Sequence, residues 1–129
     1  MPLVRIDLQA GRTPAEVRRL ADVVQDVMLE VFAAPPGDRY QIVTEHPPGR
    51  IIVEDSGLGL ERTDGITVVQ IVQQGRDRAQ KERAYAALAQ RLESECGVRP
   101  ADLIVSVTGN SREDWSFGLG RAQFLTGEL

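Results

Sequence analysis

The chain has 129 residues, 42% of them hydrophobic and 26% charged, with a formal net charge of -4. That composition suits one globular domain with its own core and excludes the basic field a nucleic-acid binder needs. Cys96 is the only cysteine, which excludes an intrachain disulfide and fits a reducing compartment. No apolar run reaches the ~20 residues of a membrane span, and no basic region followed by an apolar stretch marks a signal peptide, so a cytoplasmic protein without a membrane partner is expected.

In chain order, Leu3-Val4-Arg5-Ile6-Asp7-Leu8 alternates and predicts a strand over about 3–9. Thr13-Pro14-Ala15-Glu16 has the form of a capping box with Pro at the first helical position. Val17, Leu20, Ala21, Val24, Val27, Met28 and Val31 then recur at helical spacing, until Pro35-Pro36-Gly37 stops the helix. A second strand is expected at about 39–45. His46, the only histidine, stands next to Pro47-Pro48 and reads as a loop residue. Ile66 to Gln73 is nearly all β-branched or apolar, as in a central strand. Gly75-Arg76-Asp77 makes a turn into a helix at about 78–95. Its stripe is Tyr85, Leu88, Leu92 and Cys96, with Gly97 as the stop. Asp102 to Thr108 reads as the last main strand, and Trp115-Ser116-Phe117-Gly118 as a small hairpin.

The two halves, about 2–64 and 66–129, align at an offset of 64. Val4 matches Val68, Gln9 matches Gln73, Gly11-Arg12 matches Gly75-Arg76, Asp38 matches Asp102, and Val43-Thr44 matches Val107-Thr108. Each half reads as β-α-β, which predicts an α/β fold: a four-stranded mixed sheet with two helices on one face. Val4, Ile6, Val69, Ile71, Val105 and Val107 suggest that the other face is too apolar for water, so an oligomer is expected.

If Met1 is removed, Pro2 becomes a free secondary amine whose ring fixes its geometry and which titrates as an α-amino group does, near pH 8. Arg76, at the start of a helix, could bind a carboxylate with its fork and the helix end. With the first and third strands parallel or nearly so, it would lie at the opposite end of its strand from Pro2, with convergence of the two within the sheet or across subunits left open. Asp38 occupies a turn between a helix and a strand. One His and one Cys exclude a zinc site and a Cys/His dyad. The Gly57/Gly59 and Gly118/Gly120 pairs do not stand between a strand and a helix, as phosphate loops require, and read as turns. Trp115, Phe117 and Phe124 cluster late in the chain and suggest a core, a contact or an apolar ligand wall.

Several stretches together resemble the tautomerase superfamily, and within it the malonate semialdehyde decarboxylase group. They are Pro2-Leu3 through Asp7-Leu8, Asp38-Arg39-Tyr40-Gln41, Glu54-Asp55-Ser56-Gly57-Leu58-Gly59, Asp114-Trp115-Ser116-Phe117-Gly118, and Phe124-Leu125-Thr126-Gly127-Glu128-Leu129. The resemblance implies a cofactor-free homotrimer with active sites at subunit boundaries and a small carboxylic acid as substrate. It implies a catalytic Pro2 assisted by Asp38, with the substrate carboxylate on Arg76. Trp115, Phe117, Phe124 and Leu129 would line an apolar wall. In one branch of the group the third strand ends Arg-x-Arg; here it reads Gln74-Gly75-Arg76, so Gln74 replaces a cation at a substrate-binding position. The expected reaction is decarboxylation of a small 3-oxo acid. Hydration or dehalogenation of an unsaturated acid, keto–enol tautomerisation, and a non-catalytic trimeric acid-binding protein are the alternatives.

Overall fold

The computed structural model describes residues 2–129; Met1, and with it the expected removal of Met1, lies outside the described residues. The chain runs β1 (Leu3–Gln9), α1 (Pro14–Val31), β2 (Tyr40–His46), β3 (Thr67–Gln74), α2 (Arg78–Cys96) and β4 (Leu103–Asn110), followed by a one-turn α3 (Gln123–Thr126). The sheet order is β2-β1-β3-β4. β1 pairs parallel with β2 and β3 parallel with β4, each pair joined by its helix. The central pair β1–β3 is antiparallel, with Leu3 opposite Val72 and Leu8 opposite Thr67. The mixed sheet and two helices agree with expectation, whereas the central pair runs opposite to the parallel arrangement anticipated. Of the described residues, none forms a helix long and apolar enough to cross a membrane.

Both helices start where local chemistry dictates. Thr13 accepts from the Glu16 N–H while Glu16 reaches back to the Thr13 N–H, with Pro14 at the first position. Asp77 and Gln80 repeat the arrangement at α2. Gly97 stops α2 at φ 68, a left-handed conformation that a residue without Cβ adopts freely. Arg91 ties the two helices together, bonding Asp26 at 3.1 Å and Glu95 at 2.7 Å.

The core lies between the helices and one sheet face. Leu20, Val23, Val24, Val27 and Met28 of α1 and Ala84, Leu88 and Leu92 of α2 pack on Val4, Ile6, Leu8, Val69 and Ile71. Ala84 takes the place expected of Tyr85, which is exposed. The apolar residues expected on the uncovered face, Val4, Ile6, Val69, Ile71, Val105 and Val107, all belong to this helix-covered core. Strand alternation puts Leu3, Arg5, Asp7, Ile42, Val68, Gln70 and Val72 on the opposite face, which is mixed in character. His46 ends β2 rather than sitting in a loop, and its Nε2 meets Asp7 Oδ1 at 2.7 Å on that same face.

The buried positions correct the ungapped alignment of the halves. In β1 and the residue just before it they are Pro2, Val4, Ile6 and Leu8; in β3 they are Thr67, Val69, Ile71 and Gln73. Val4 therefore corresponds to Val69 and Leu8 to Gln73, an offset of 65, while the helix caps Thr13 and Asp77 keep 64. The connection from Leu8 to Thr13 holds one residue more than that from Gln73 to Asp77. A shift of one residue exchanges sheet faces, so the Val4/Val68 and Gln9/Gln73 identities join positions on opposite faces. The expected C-terminal hairpin is also absent among the described residues. Residues 112–114 form a 3-10 turn, and Gln123–Thr126 a single helical turn.

Candidate functional site

The antiparallel central pair brings the expected site residues to one end of the sheet within a single chain. The β1–β3 register runs Leu3 to Val72, so Pro2 lies across from Gln73, and Gln74 and Arg76 continue past it. β2 starts beside β1 with Tyr40 level with Leu3, which puts Asp38 just ahead of it. β4 ends at the same edge, with Asn110 level with Gln74. Pro2 is buried and Asp38 is only 6% exposed. Gln25 of α1 donates to the Asp38 carbonyl at 3.4 Å and fixes the approach to β2. Arg76 thus shares an end with Pro2 and needs no second subunit to do so.

Arg76 does not use its own helix as anticipated. Asp77 already caps that helix, so its first-turn N–H groups face a carboxylate. The Arg76 side chain instead reaches the C-terminal end of α1, where Nε donates to the Phe32 carbonyl at 2.9 Å. Nη1 donates to the carbonyls of Gln74 at 2.9 Å and Gly75 at 3.0 Å. The guanidinium lies 5.9 Å from the Phe32 ring centre. The negative end of the α1 dipole favours the cation there, and burial pushes its pKa down from the usual arginine value. Two of the three nitrogens are committed to the main chain. Nη2 has no hydrogen bond among the described residues, leaving its two N–H donors for an anion.

The aromatic residues form one connected group. Phe117 stacks on Tyr40 at 5.7 Å and on Trp115 at 5.4 Å, and meets Phe124 edge-on at 5.3 Å. Trp115 Nε1 donates to Asn110 Oδ1 at 2.9 Å, which ties the group to the end of β4, as Tyr40 ties it to the start of β2. Gln123, buried at 8% exposure, accepts from the Phe117 N–H at 2.9 Å and donates to the Gly118 carbonyl at 2.8 Å. The guanidinium of Arg112 covers Phe124 at 4.8 Å. Leu129 is held by its N–H on the Gln123 carbonyl at 3.3 Å, and its side chain is exposed.

Gln74 lies on the face shared by Tyr40 and Asn110, and its buried Oε1 has no hydrogen-bond partner among the described residues. Tyr40, Asn110 and Gln123 organise the site without having been singled out from the sequence. Only Tyr40 lay within a quoted stretch, and the two amides carry no local signature. Within the described residues, no group of three or more His, Cys, Asp or Glu side chains could hold a metal ion. The arrangement offers a fixed cation, a buried carboxylate, neutral amides and an aromatic wall around the Pro2 end of β1, parts suited to holding a small anionic acid.

Comparison with known proteins agrees with this geometry. A family model described as a tautomerase enzyme matches residues 38–118, and a second with the same description matches residues 2–61. The probable tautomerase YrdN of Bacillus subtilis (strain 168) is 50% identical over 129 residues, covering 100% of both chains. A solved malonate semialdehyde decarboxylase, described with decarboxylase and hydratase activities, superposes with a TM-score of 0.94 at 42% identity over 98% of each chain. FG41 malonate semialdehyde decarboxylase, solved inhibited by 3-bromopropiolate, gives a TM-score of 0.93 at 43% identity, covering 98% of this chain and 97% of that one. With a family model spanning most of its length and relatives matching end to end, the chain belongs to the tautomerase superfamily and, within it, to the malonate semialdehyde decarboxylase-like group.

Proposed function

We propose that this protein is a cofactor-independent carboxy-lyase acting on a small 3-oxo acid, with malonate semialdehyde to acetaldehyde and CO2 as the model reaction. Pro2, freed by removal of Met1, is the general acid. The observation that carries this reading is that Pro2, Asp38 and Arg76 share one sheet end with the Tyr40–Phe117–Trp115 stack.

In this mechanism the substrate carboxylate pairs with Nη2 of Arg76, whose other donors hold it still. Breaking the bond to the carboxylate carbon releases CO2 and moves the electron pair towards the aldehyde oxygen as an enolate. Arg76 favours the starting carboxylate, so it positions more than it accelerates. Only contacts that strengthen as the enolate forms lower the barrier. A protonated Pro2 aimed at that oxygen is such a contact, worth about 3 kcal/mol. Its proton passes to the enolate and is recovered from solvent. Asp38 raises the Pro2 pKa and Arg76 lowers it. The aromatic wall disfavours the carboxylate and favours neutral CO2.

One observation supports a second reading. Gln74 contributes an amide where a cation was expected by resemblance, which reduces the positive charge available to a carboxylate. With Pro2 neutral, the same parts make a base for keto–enol tautomerisation; with Pro2 protonated and Asp38 activating water, they hydrate an acetylenic or haloacrylic acid. We propose further that the chain assembles as a homotrimer through the uncovered sheet face, where half-buried Leu3, Val68 and Val72 lie among polar residues.

The test is turnover by protein whose intact mass shows that Met1 is gone. Pro2→Ala is expected to cost roughly 10²- to 10⁴-fold in kcat/KM for malonate semialdehyde. Equal rates for wild type and Pro2→Ala on 3-oxo, alkynoic and enol acids would overturn the reading.

A further inference from the structure

Gln73 is an amide in a position built for an apolar side chain. It is the last buried residue of β3, at 1% exposure, and shares its face with Val69 and Ile71. The corresponding last buried residue of β1 is Leu8, at 0%. Among the described residues, the buried Gln73 Oε1 has no hydrogen-bond partner, and its Nε2 has only a 3.5 Å contact to the Gln74 carbonyl. A buried acceptor left unmet costs about 1–3 kcal/mol, so a leucine here would be the stabler choice. The amide is retained against that cost.

The antiparallel register identifies its neighbour. With Leu3 opposite Val72, Gln73 stands opposite Pro2. Residues opposite one another in such a pair share a face, with Cβ atoms about 4.5–5.5 Å apart. While Met1 is attached, the Pro2 nitrogen is a tertiary amide with no hydrogen to donate. Removal of Met1 turns it into an amine that, once protonated, carries two N–H donors. The buried acceptor thus belongs to the residue that stands across the strand pair from the one whose nitrogen gains donors on processing.

We propose that Gln73 is a positioning residue for the Pro2 amine: its carboxamide oxygen accepts a hydrogen bond from the processed nitrogen and favours the protonated form over the neutral one. This rests on the reading of Pro2 as the catalytic amine. The titratable groups at the same sheet end as Pro2 are Asp38 and Tyr40 from the approach to β2 and Arg76 beyond β3. From α1, Gln25, which bonds the Asp38 carbonyl, and Phe32, whose carbonyl holds Arg76, are uncharged, as are Trp115 and Phe117 of the C-terminal segment. Gln73 is thus the neutral member of a set in which Asp38 and Arg76 pull the nitrogen in opposite directions.

The experiment is an NMR titration of ¹⁵N-proline-labelled, Met1-free protein, with thermal unfolding of the same samples. Gln73→Leu is expected to lower the Pro2 pKa by about one unit, the scale of one hydrogen bond to a charged group. Gln73→Glu is expected to move the pKa upward. The acid-requiring decarboxylation should fall in Gln73→Leu at neutral pH, and the enol-acid activity that needs neutral proline should rise. An unchanged Pro2 pKa in both variants overturns the proposal, as does a lower melting temperature in Gln73→Leu with pKa and pH profile unmoved, the result of a purely structural role. Pro2→Ala separates the two ideas. If it is inactive while the Gln73 variants titrate normally, the amine chemistry stands and the role of Gln73 fails; if it is fully active, the underlying reading fails.

Discussion

The two ends of the β1–β3 pair are built from corresponding parts put to different uses. At one end Pro2 faces Gln73, Asp38 precedes β2, and Arg76 follows β3. At the other, Thr67 faces Leu8, Asp102 precedes β4, and Arg12 follows β1. There the preceding segment folds over the carboxylate: Asp102 Oδ1 accepts from the Thr63 N–H at 2.7 Å and Oδ2 from the Thr63 hydroxyl. A Cβ on Gly65 would come within 3.1 Å of Asp102 Oδ2, so the fit tolerates little else. Thr67 carries its nitrogen in an ordinary mid-chain amide that cannot titrate. On the proposed function, the same fold serves chemistry at the end where a processed terminus would replace that amide, and structure at the end where Thr63 holds Asp102.

Exchanging the two aspartates one at a time is the strongest test of this difference. Asp102→Ala removes the acceptor of two Thr63 donors at a 1% exposed position. It is expected to cost about 2–3 kcal/mol in chemical unfolding, with kcat/KM per folded molecule unchanged. Asp38→Asn is expected to do the reverse, lowering kcat/KM by roughly 100-fold with a far smaller change in stability. If Asp102→Ala removed activity from protein that remains folded, the assignment of one chemical and one structural end would be wrong.

How much of this was legible follows from how local each signal is. The boxes at Thr13–Glu16 and Asp77–Gln80 are four-residue patterns whose chemistry acts over one turn, and both helices start where those residues place them. The direction of β3 against β1 has no local signature, so Arg76 could not be brought to Pro2 from the sequence. The extra residue between Leu8 and Thr13 escapes an ungapped alignment because the matches on either side, in the turn and helix, outweigh those in the strand. Ala84 and Tyr85 are neighbours with similar claims on a helix stripe, and only packing against the sheet separates them. The C-terminal aromatics suggested strands by composition. What shapes that segment is side-chain bonding from Ser111–Asp114 and Gln123, which depends on chain already in place. Gln73 did leave a trace, as a polar residue ending an apolar alternation, but its meaning came only with its cross-strand neighbour.

The arginines give the next smaller contrast. Arg76 is half-buried with two nitrogens held by carbonyls of Phe32, Gln74 and Gly75. Arg12, its match in the first half, makes no hydrogen bond among the described residues. Arg76→Ala is expected to raise KM for a small 3-oxo acid roughly 10- to 100-fold, the loss of one charge-assisted contact. Arg12→Ala is expected to leave KM and kcat alone. Steady-state kinetics on both variants decide it, and equal effects would mean that the guanidinium acts through general charge rather than from a fixed place.

The smallest effect should come from adding charge at Gln74. Its side chain lies on the face of the aromatic group with a buried, unmatched oxygen, so replacing the amide with a guanidinium removes that acceptor and supplies a second cation near Arg76. An added positive charge stabilises the bound carboxylate more than the enolate that follows, because charge leaves the carboxylate as CO2 forms. By the argument that separates uniform from transition-state binding, Gln74→Arg should lower KM several-fold and leave kcat within about twofold, while pulling the Pro2 pKa downward through like-charge repulsion. Kinetics well below the Pro2 pKa keep that second influence out of the comparison. A large rise in kcat at constant KM would show that the residue after Gln73 reads the developing enolate, and the division of labour between Arg76 as anchor and Pro2 as acid would have to be redrawn.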